Sequence, residues 1–139
     1  AFTDVDFVTA KGVEKNLKAF PDVKRFHDFR EMLDKMGKDI DAVSVVTPDH
    51  THFTAAISAM ALGKHVYVEK PCCHNVREGR LLAEAVKRSG KRLQVGTQSR
   101  STPCVTEGIE RVRNGEIGEI LVAKAWNSQR RGTIGKAQP

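Results

Sequence analysis

The sequence predicts an α/β fold built on a doubly wound parallel sheet. Two observations carry this expectation. Helix-period and strand-like segments alternate at short intervals along the 139 residues, which is the pattern of βαβ units. The strand-like segments are also short apolar runs that open through polar loops onto helices, as in Asp41-Ala42-Val43-Ser44-Val45-Val46 followed by Thr47-Pro48-Asp49-His50. A strand buried on both faces of a parallel sheet reads in this way. The length suffices for one domain with its own core.

The elements follow in order. Phe2-Thr3 is the tail of a strand running into Asp4, and Val8 to Lys18 reads as a helix. Pro21-Asp22 turns the chain into a short strand, Val23 to Phe26. Asp28 is placed to cap a helix over Phe29 to Met36 that buries Phe29, Met32 and Leu33 and stops at Gly37. Asp41 to Val46 is expected as a central parallel strand. From about His52 to Leu62 a helix carries Phe53, Ala56, Ile57, Met60 and Ala61 on one stripe, with Gly63 as its stop. His65 to Val68 is the next strand. Val76 to Ser89 is a helix with Leu81, Leu82, Ala85 and Val86 inward, and Leu93 to Gly96 is another strand. Pro103 suits the first turn of a helix that carries Val105, Ile109 and Val112 and ends near Asn114-Gly115. Glu119 to Asn127 is a long strand-like run, and Arg130 to Gly135 reads as a loop. This reading puts a first domain at residues 1–118 and the start of a second at 119–139.

Composition narrows the function classes. The chain is 40% hydrophobic and 29% charged, the mix of a soluble globular protein. No apolar run reaches the length of a membrane span, and no targeting segment is visible, although the chain begins at Ala1 without a methionine. Its 3 cysteines, Cys72, Cys73 and Cys104, are odd in number and two are adjacent. That argues against a disulfide framework and for reduced thiols in a cytoplasmic protein. The net charge of +6 raises a nucleic-acid partner. However, the basic residues between Lys11 and Lys38 alternate with acids, and the densest cluster, Lys87 to Arg92, lies at a helix end that cations suit. Aromatics are few and are not interleaved with the charge. A solvated face accounts for these residues, so neither nucleic acid nor membrane is expected as a partner.

Three loops stand at the C-terminal ends of three consecutive predicted strands: Thr47-Pro48-Asp49-His50-Thr51-His52, Glu69-Lys70-Pro71 and Gly96-Thr97-Gln98-Ser99-Arg100. In open α/β sheets, ligands bind just outside these ends. A lysine held there, partly desolvated, is suited to donate or accept a proton near neutral pH. Asp4 follows the first strand-like residues, where a dinucleotide-binding chain places the acid for the adenosine ribose. His50 and His52 with Asp49 are possible metal ligands, but no third or fourth ligand is spaced to join them, so no metal site is expected. His27, His65 and His74 read as surface or strand-end residues, Cys72-Cys73 as filling the start of a helix and Cys104 as core. Trp126 could face a sugar or anchor a further domain, and Arg130 and Arg131 either reach an anionic substrate or are solvated.

The chain resembles the Gfo/Idh/MocA family of nicotinamide-dependent oxidoreductases. The resemblance rests on Asp41-Ala42-Val43-Ser44-Val45-Val46-Thr47-Pro48 with His52, on Gly63-Lys64-His65-Val66-Tyr67-Val68-Glu69-Lys70-Pro71, and on Gly96-Thr97-Gln98-Ser99-Arg100. It runs from Asp4 to about Trp126. It implies an N-terminal Rossmann domain followed by an α/β domain with a large open sheet. It also implies hydride transfer between NAD or NADP and a hydroxyl-bearing carbon of a sugar, cyclitol or derivative. By this resemblance Lys70 is the catalytic amine, Glu69 lies by the nicotinamide, and Pro71, often in cis, directs the chain so that Lys70 faces the crevice. Asp4, Thr47, Pro48, His50 and His52 line the cofactor with Lys70 and Pro71. Gln98 and Arg100 lie near the nicotinamide or substrate, and Trp126 is a second substrate candidate. Asp4 without a basic neighbour favours NAD over NADP. Family members associate through their open sheets, which implies a homo-oligomer.

The fingerprint G-x-G-x-x-G, which seats a pyrophosphate at a helix N-terminus, does not occur in the sequence. The family's further catalytic aspartate and histidine belong to its second domain. The resemblance therefore predicts a piece of a larger enzyme: a partial Rossmann domain lacking its first βα unit, plus the first strand of a C-terminal α/β domain. Such a piece is expected to be inactive and poorly stable alone, with strand edges laid bare. The competing reading is a non-catalytic dinucleotide-binding module or a degenerate remnant. An amine at position 70 argues against it, because a module that only binds has no need of one.

Overall fold

Along His65-Val66-Tyr67-Val68-Glu69, Val66 and Val68 are buried and Tyr67 faces out. This period-two pattern fixes one covered and one open face of the sheet around it. The computed structural model describes residues 1–8, 13–128 and 132. Among them the elements are β1 (Phe2–Thr3), α1 (Val13–Ala19), β2 (Arg25–Phe26), α2 (Phe29–Met36) continued by a 3₁₀ turn (Gly37–Asp39), β3 (Ala42–Val45), α3 (Asp49–Ala61), β4 (His65–Glu69), α4 (Val76–Ser89), β5 (Leu93–Gly96), a second 3₁₀ turn (Gln98–Ser101) and α5 (Pro103–Arg113). Contacts divide the chain into two compact units, Ala1–Gln98 and Ser99–Pro139.

In the first unit β3, β4 and β5 form a parallel sheet in that order, with Val43 opposite Val66, Val45 opposite Val68 and Val68 opposite Val95. β1 and β2 pair in parallel as a separate two-stranded sheet. Thr3 Oγ1 lies 3.1 Å from Met32 Sδ, which links β1 to α2. The core joins Met32 and Leu33 of α2, Val45, the α3 residues Ala55, Ala56, Ala59 and Met60, Val66 and Val68 of β4, and Leu82 of α4. Ala56, Ala59 and Val68 are 0% exposed. Alanines at three of these α3 positions let the helix backbone lie close to the strands.

Local chemistry explains the ends. Asp28 caps α2, its Oδ1 accepting from the Arg30 N–H at 2.8 Å. The Arg30 guanidinium beside it holds the Asp28 carboxyl below the usual carboxylate range. Asn75 caps α4 by accepting from the Glu78 N–H at 3.0 Å, and Glu78 Oε2 accepts from the His74 N–H at 2.6 Å. That reciprocal arrangement is a variant of the capping box. Gly63 and Gly90 end α3 and α4 with φ of 73° and 65°, which a residue with Cβ resists.

Several expectations need correction. Among the described residues β3 is the outer strand of its three-stranded sheet rather than a central one, with Ala42 and Ser44 exposed. α2 does end at Met36 with Gly37 as its C-cap, as expected, and Gly37, with φ −54°, opens the 3₁₀ turn that follows. α3 begins at Asp49, so Asp49 and His50 are helical, and its buried stripe is His52, Ala55, Ala56, Ala59 and Met60, with Ala61 exposed. Leu81 is exposed beside the buried Leu82. In the second unit α5 has its expected bounds but buries no side chain fully, and Cys104 is exposed rather than core. Residues 119–127 form no strand, since no described strand offers them a ladder; Leu121 and Trp126 are 83% and 81% exposed. Within the expected first helix, residues 9–12 lie outside the described ones; Val8 is not helical and α1 begins at Val13. Arg130, Arg131 and residues 133–135 also lie outside the description.

Met60, 1% exposed, fills the space between α3 and the sheet's covered face. Met60→Ala is expected to lower stability by about 2–5 kcal/mol. Leu121→Ala should change it by less than about 0.5 kcal/mol. Urea unfolding of the two variants checks both values.

Candidate functional site

The site is built from the chain segments that leave β3, β4 and β5 at their C-terminal ends. After β3, Pro48 takes the N-cap position of α3, and the Thr51 N–H closes the first turn onto the Pro48 carbonyl at 2.9 Å. Thr51 Oγ1 lies 2.7 Å from Thr47 Oγ1 and 2.8 Å from the same carbonyl, so Thr51 fixes both preceding residues. His50 Nδ1 is 3.8 Å from Asp49 Oδ1, and both side chains are exposed.

His52 points the other way. It is 2% exposed, with Nε2 2.6 Å from the Thr47 carbonyl oxygen and Nδ1 2.7 Å from the Pro71 carbonyl oxygen. Both partners are acceptors, and a ring N–H donates to one or the other according to the tautomer. One imidazole thus ties the segment after β3 to the segment after β4. Neither ring nitrogen is left for a ligand. Among the described residues no three His, Cys, Asp or Glu side chains gather as a metal-ligand set.

A second tie joins β4 to the segment after β5. Gln98 Nε2 donates to Glu69 Oε1, and Tyr67 Oη donates to the same oxygen at 3.1 Å. The other oxygen, Oε2, accepts from the Lys70 N–H at 3.2 Å. The Glu69 carboxylate raises the Tyr67 phenol above its ordinary range, chiefly through this hydrogen bond. The Lys70-Pro71 peptide is cis. Lys70 is exposed, and its ammonium has no hydrogen-bond or ion-pair partner among the described residues. Its donors are free for an oxygen of a bound molecule. Lys64, at the other end of β4, is not free: its ammonium donates to the Gly37 carbonyl.

The structure therefore brings Thr47, Pro48, His52, Glu69, Lys70, Pro71 and Gln98 into one hydrogen-bonded rim. Asp4 is not joined to it by any hydrogen bond or ion pair among the described residues. Its N–H donates to the Phe26 carbonyl and its Oδ1 accepts from the Asp6 N–H at 2.9 Å. Arg100 and Trp126 belong to the second unit, where both are exposed. Tyr67 and Thr51 were not singled out from the sequence. The signal for Tyr67 was its position two residues before Glu69, which puts both on one face of the strand. Cys72 and Cys73, 4.0 Å apart at sulfur, follow Pro71 half-buried and unbridged. Burial pushes the Cys73 thiol above its ordinary value.

Parallel strands with helical crossovers, and a braced rim of loops at their C-terminal ends, define an α/β domain of the nucleotide-binding class. The chain belongs to the Gfo/Idh/MocA oxidoreductase family with an NAD-binding Rossmann fold, whose model matches residues 3–97. It is similar to a scyllo-inositol 2-dehydrogenase (NAD(+)) of Bacillus subtilis, 38% identical over 96 residues, covering 69% of this chain and 28% of that protein. It is also similar to a levoglucosan dehydrogenase of Pseudarthrobacter phenanthrenivorans, 35% identical over 94 residues, covering 68% of this chain and 24% of that protein. The crystal structure of myo-inositol 2-dehydrogenase from Lactobacillus plantarum superposes with a TM-score of 0.73 at 25% identity, over 85% of this chain and 34% of that one. The chain thus spans between about a quarter and a third of the length of these relatives.

His52→Leu, which keeps bulk and removes the ring nitrogens, is expected to cost about 1–3 kcal/mol in chemical denaturation, because a buried carbonyl loses its donor. Stability equal to the parent chain would show that the tie carries no energy. At neutral pH a maleimide is expected to label the exposed Cys104 well before Cys73, whose raised thiol leaves less thiolate. Peptide mapping over a time course reads the order.

Proposed function

We propose that this chain serves an oxidoreductase that transfers a hydride between a nicotinamide cofactor and a hydroxyl-bearing carbon of a sugar, cyclitol or derivative. Lys70 is its acid–base group. The observation that carries this reading is the unpartnered Lys70 ammonium at the end of β4, the middle strand of a parallel sheet, between two segments that are each braced to it. Membership of an NAD-binding oxidoreductase family supports it, and so do the cyclitol and sugar substrates named for the relatives.

The residues fit a dinucleotide. The rim offers the Thr47 hydroxyl, the ring of Pro48, the exposed His50 and the Gln98 side chain, with the braced Glu69 beside them, at the carboxyl ends of the strands where such ligands lie. Asp4 is assigned to the adenosine ribose and, with no basic neighbour, to NAD rather than NADP. The NAD(+) in the relative's name supports that choice. His52 serves from behind, holding Thr47 and Pro71 in place. Pro71 turns the chain beyond Lys70. Arg100 and Trp126 are assigned to the substrate, and residues 119–139 to the start of a second domain after a first at 1–118.

When bound, the nicotinamide supplies the hydride acceptor or donor. The chain's own contribution is a proton. Lys70 in its amine form accepts the substrate hydroxyl proton as the carbon gives up hydride; in the reverse direction its ammonium hands the proton to the carbonyl oxygen. Until then the ammonium polarises that oxygen. The free thiols suit a reducing, cytoplasmic setting, and among the described residues no helix is long and apolar enough to cross a membrane.

The test uses the product of the full reading frame that contains this segment, assayed with inositols and other polyols and NAD. Lys70→Ala is expected to lower kcat by about 10²–10⁴-fold while the NAD dissociation constant changes little. Turnover that survives the substitution would sink the catalytic assignment.

A further inference from the structure

Tyr67 has no part in the reaction proposed above, yet three groups converge where it points. Its hydroxyl and the Gln98 amide both donate to Glu69 Oε1, and Gln98 Nε2 lies 3.5 Å from the Tyr67 hydroxyl. Glu69 Oε2 accepts from the Lys70 N–H. Both carboxylate oxygens are therefore engaged by the chain itself. Beneath them, Gly96 pairs in register with Glu69. A Cβ at that position would collide with the Tyr67 hydroxyl and stand 2.7 Å from Glu69 Oε1 and 2.9 Å from Tyr67 Cζ. Gly96 is buried although it lies on the sheet's open face, because these two side chains cover it.

A carboxylate on an open sheet face would otherwise sample several rotamers, at a cost in entropy to any group that depends on it. Here donors on two different strand ends select one. We propose that Tyr67 and Gln98 form a bracket, closed over the Cβ-free Gly96, which holds the Glu69 carboxylate so that its second oxygen anchors the backbone of Lys70. Tyr67 is thereby a positioning residue, acting on the reacting amine through Glu69. The catalytic consequence rests on the Lys70 reading above; the bracket itself does not.

Tyr67 is the only tyrosine in the sequence, so tyrosinate difference absorbance reports this residue alone. Glu69 is the ionisable group facing the phenol. The register neighbours Ser44 on β3 and Gln94 on β5 carry no charge, nor do Gly96 and Gln98. Because the phenol donates to a carboxylate, it titrates above its ordinary value near 10. The contact's contribution to stability is therefore full below the ordinary tyrosine range and lost as pH rises through the raised value.

The experiment is an alkaline titration of this chain and two variants. Glu69→Gln is expected to bring the tyrosinate midpoint down toward that of free tyrosine. Gln98→Ala is expected to move it up, because the amide opposes the carboxylate's effect. In parallel, Tyr67→Phe should speed deuterium exchange at the Lys70 amide severalfold and leave the Val68 amide unchanged. A midpoint unmoved in Glu69→Gln, or Lys70 exchange unmoved in Tyr67→Phe, would overturn the bracket. In the full reading frame's product, Tyr67→Phe should lower kcat severalfold with the NAD dissociation constant unchanged. An unaltered kcat alongside the expected titrations would overturn the positioning role alone. An active Lys70→Ala enzyme would instead overturn the hydride-transfer reading and leave the bracket standing.

Discussion

The buried His52 ring, held between two backbone carbonyls, decides where the rest of the rim stands. The Thr47 and Pro71 carbonyls belong to segments far apart in sequence, and each must find a donor if it is to be withdrawn from water. The ring reaches both only because α3 lies close against the sheet, and α3 lies close because Ala55, Ala56 and Ala59 present almost no bulk to β3 and β4. Small side chains on a helix thus lead, through one imidazole, to the placement of the residue that precedes Pro71. A polar side chain on an apolar stripe is costly to bury without partners. Here it has two, and among the described residues no buried side-chain nitrogen or oxygen is left unsatisfied.

The chemistry of the rim is a matter of which groups are occupied and which are left over. His52 is used up by backbone carbonyls and Glu69 by Tyr67, Gln98 and the Lys70 amide. The two lysines that flank β4 show the contrast most clearly. Lys64 closes onto the Gly37 carbonyl at the end of α2 and so carries structure. Lys70 keeps its donors unspent at the end of the strand where parallel sheets present their ligands. A place at the carboxyl end of the sheet, freedom of the ammonium and bracing of the flanking backbone coincide at that residue, which is what supports the acid–base role proposed for it.

Much of the first unit was legible. Asp28 before an apolar-periodic run and the Gly63 stop carry unambiguous local chemistry, and the segments α2, α4, β4, β5 and α5 lie close to where pattern placed them. That the three loops leave the same end of the sheet followed from reading the strands as parallel. What was illegible depended on tertiary facts. The true start of α3 is set by Pro48 and Thr51 acting as a turn, whereas Asp49 and His50 read locally as loop. His52 looked like a ligand-lining residue because periodicity cannot report that both ring nitrogens meet carbonyls. The Glu119 to Asn127 run has the composition of a strand, yet a strand exists only with a partner to receive its hydrogen bonds. The expected place of Asp4 comes from analogy with a dinucleotide fold, and its described bonds are to Asp6 nearby and to Phe26 on the paired strand.

The close approach at Gly96 has a consequence for how such sequences can drift. Positions 67 and 96 share one volume: a ring and hydroxyl on β4 occupy the space a side chain on β5 would need. Neither position is free to vary independently. A larger residue at 96 becomes tolerable only after the aromatic at 67 has shrunk or turned away, and losing the aromatic first removes the reason for glycine. Among homologues the two columns should therefore move as a pair, with glycine accompanying aromatic and bulk at 96 accompanying a small side chain at 67.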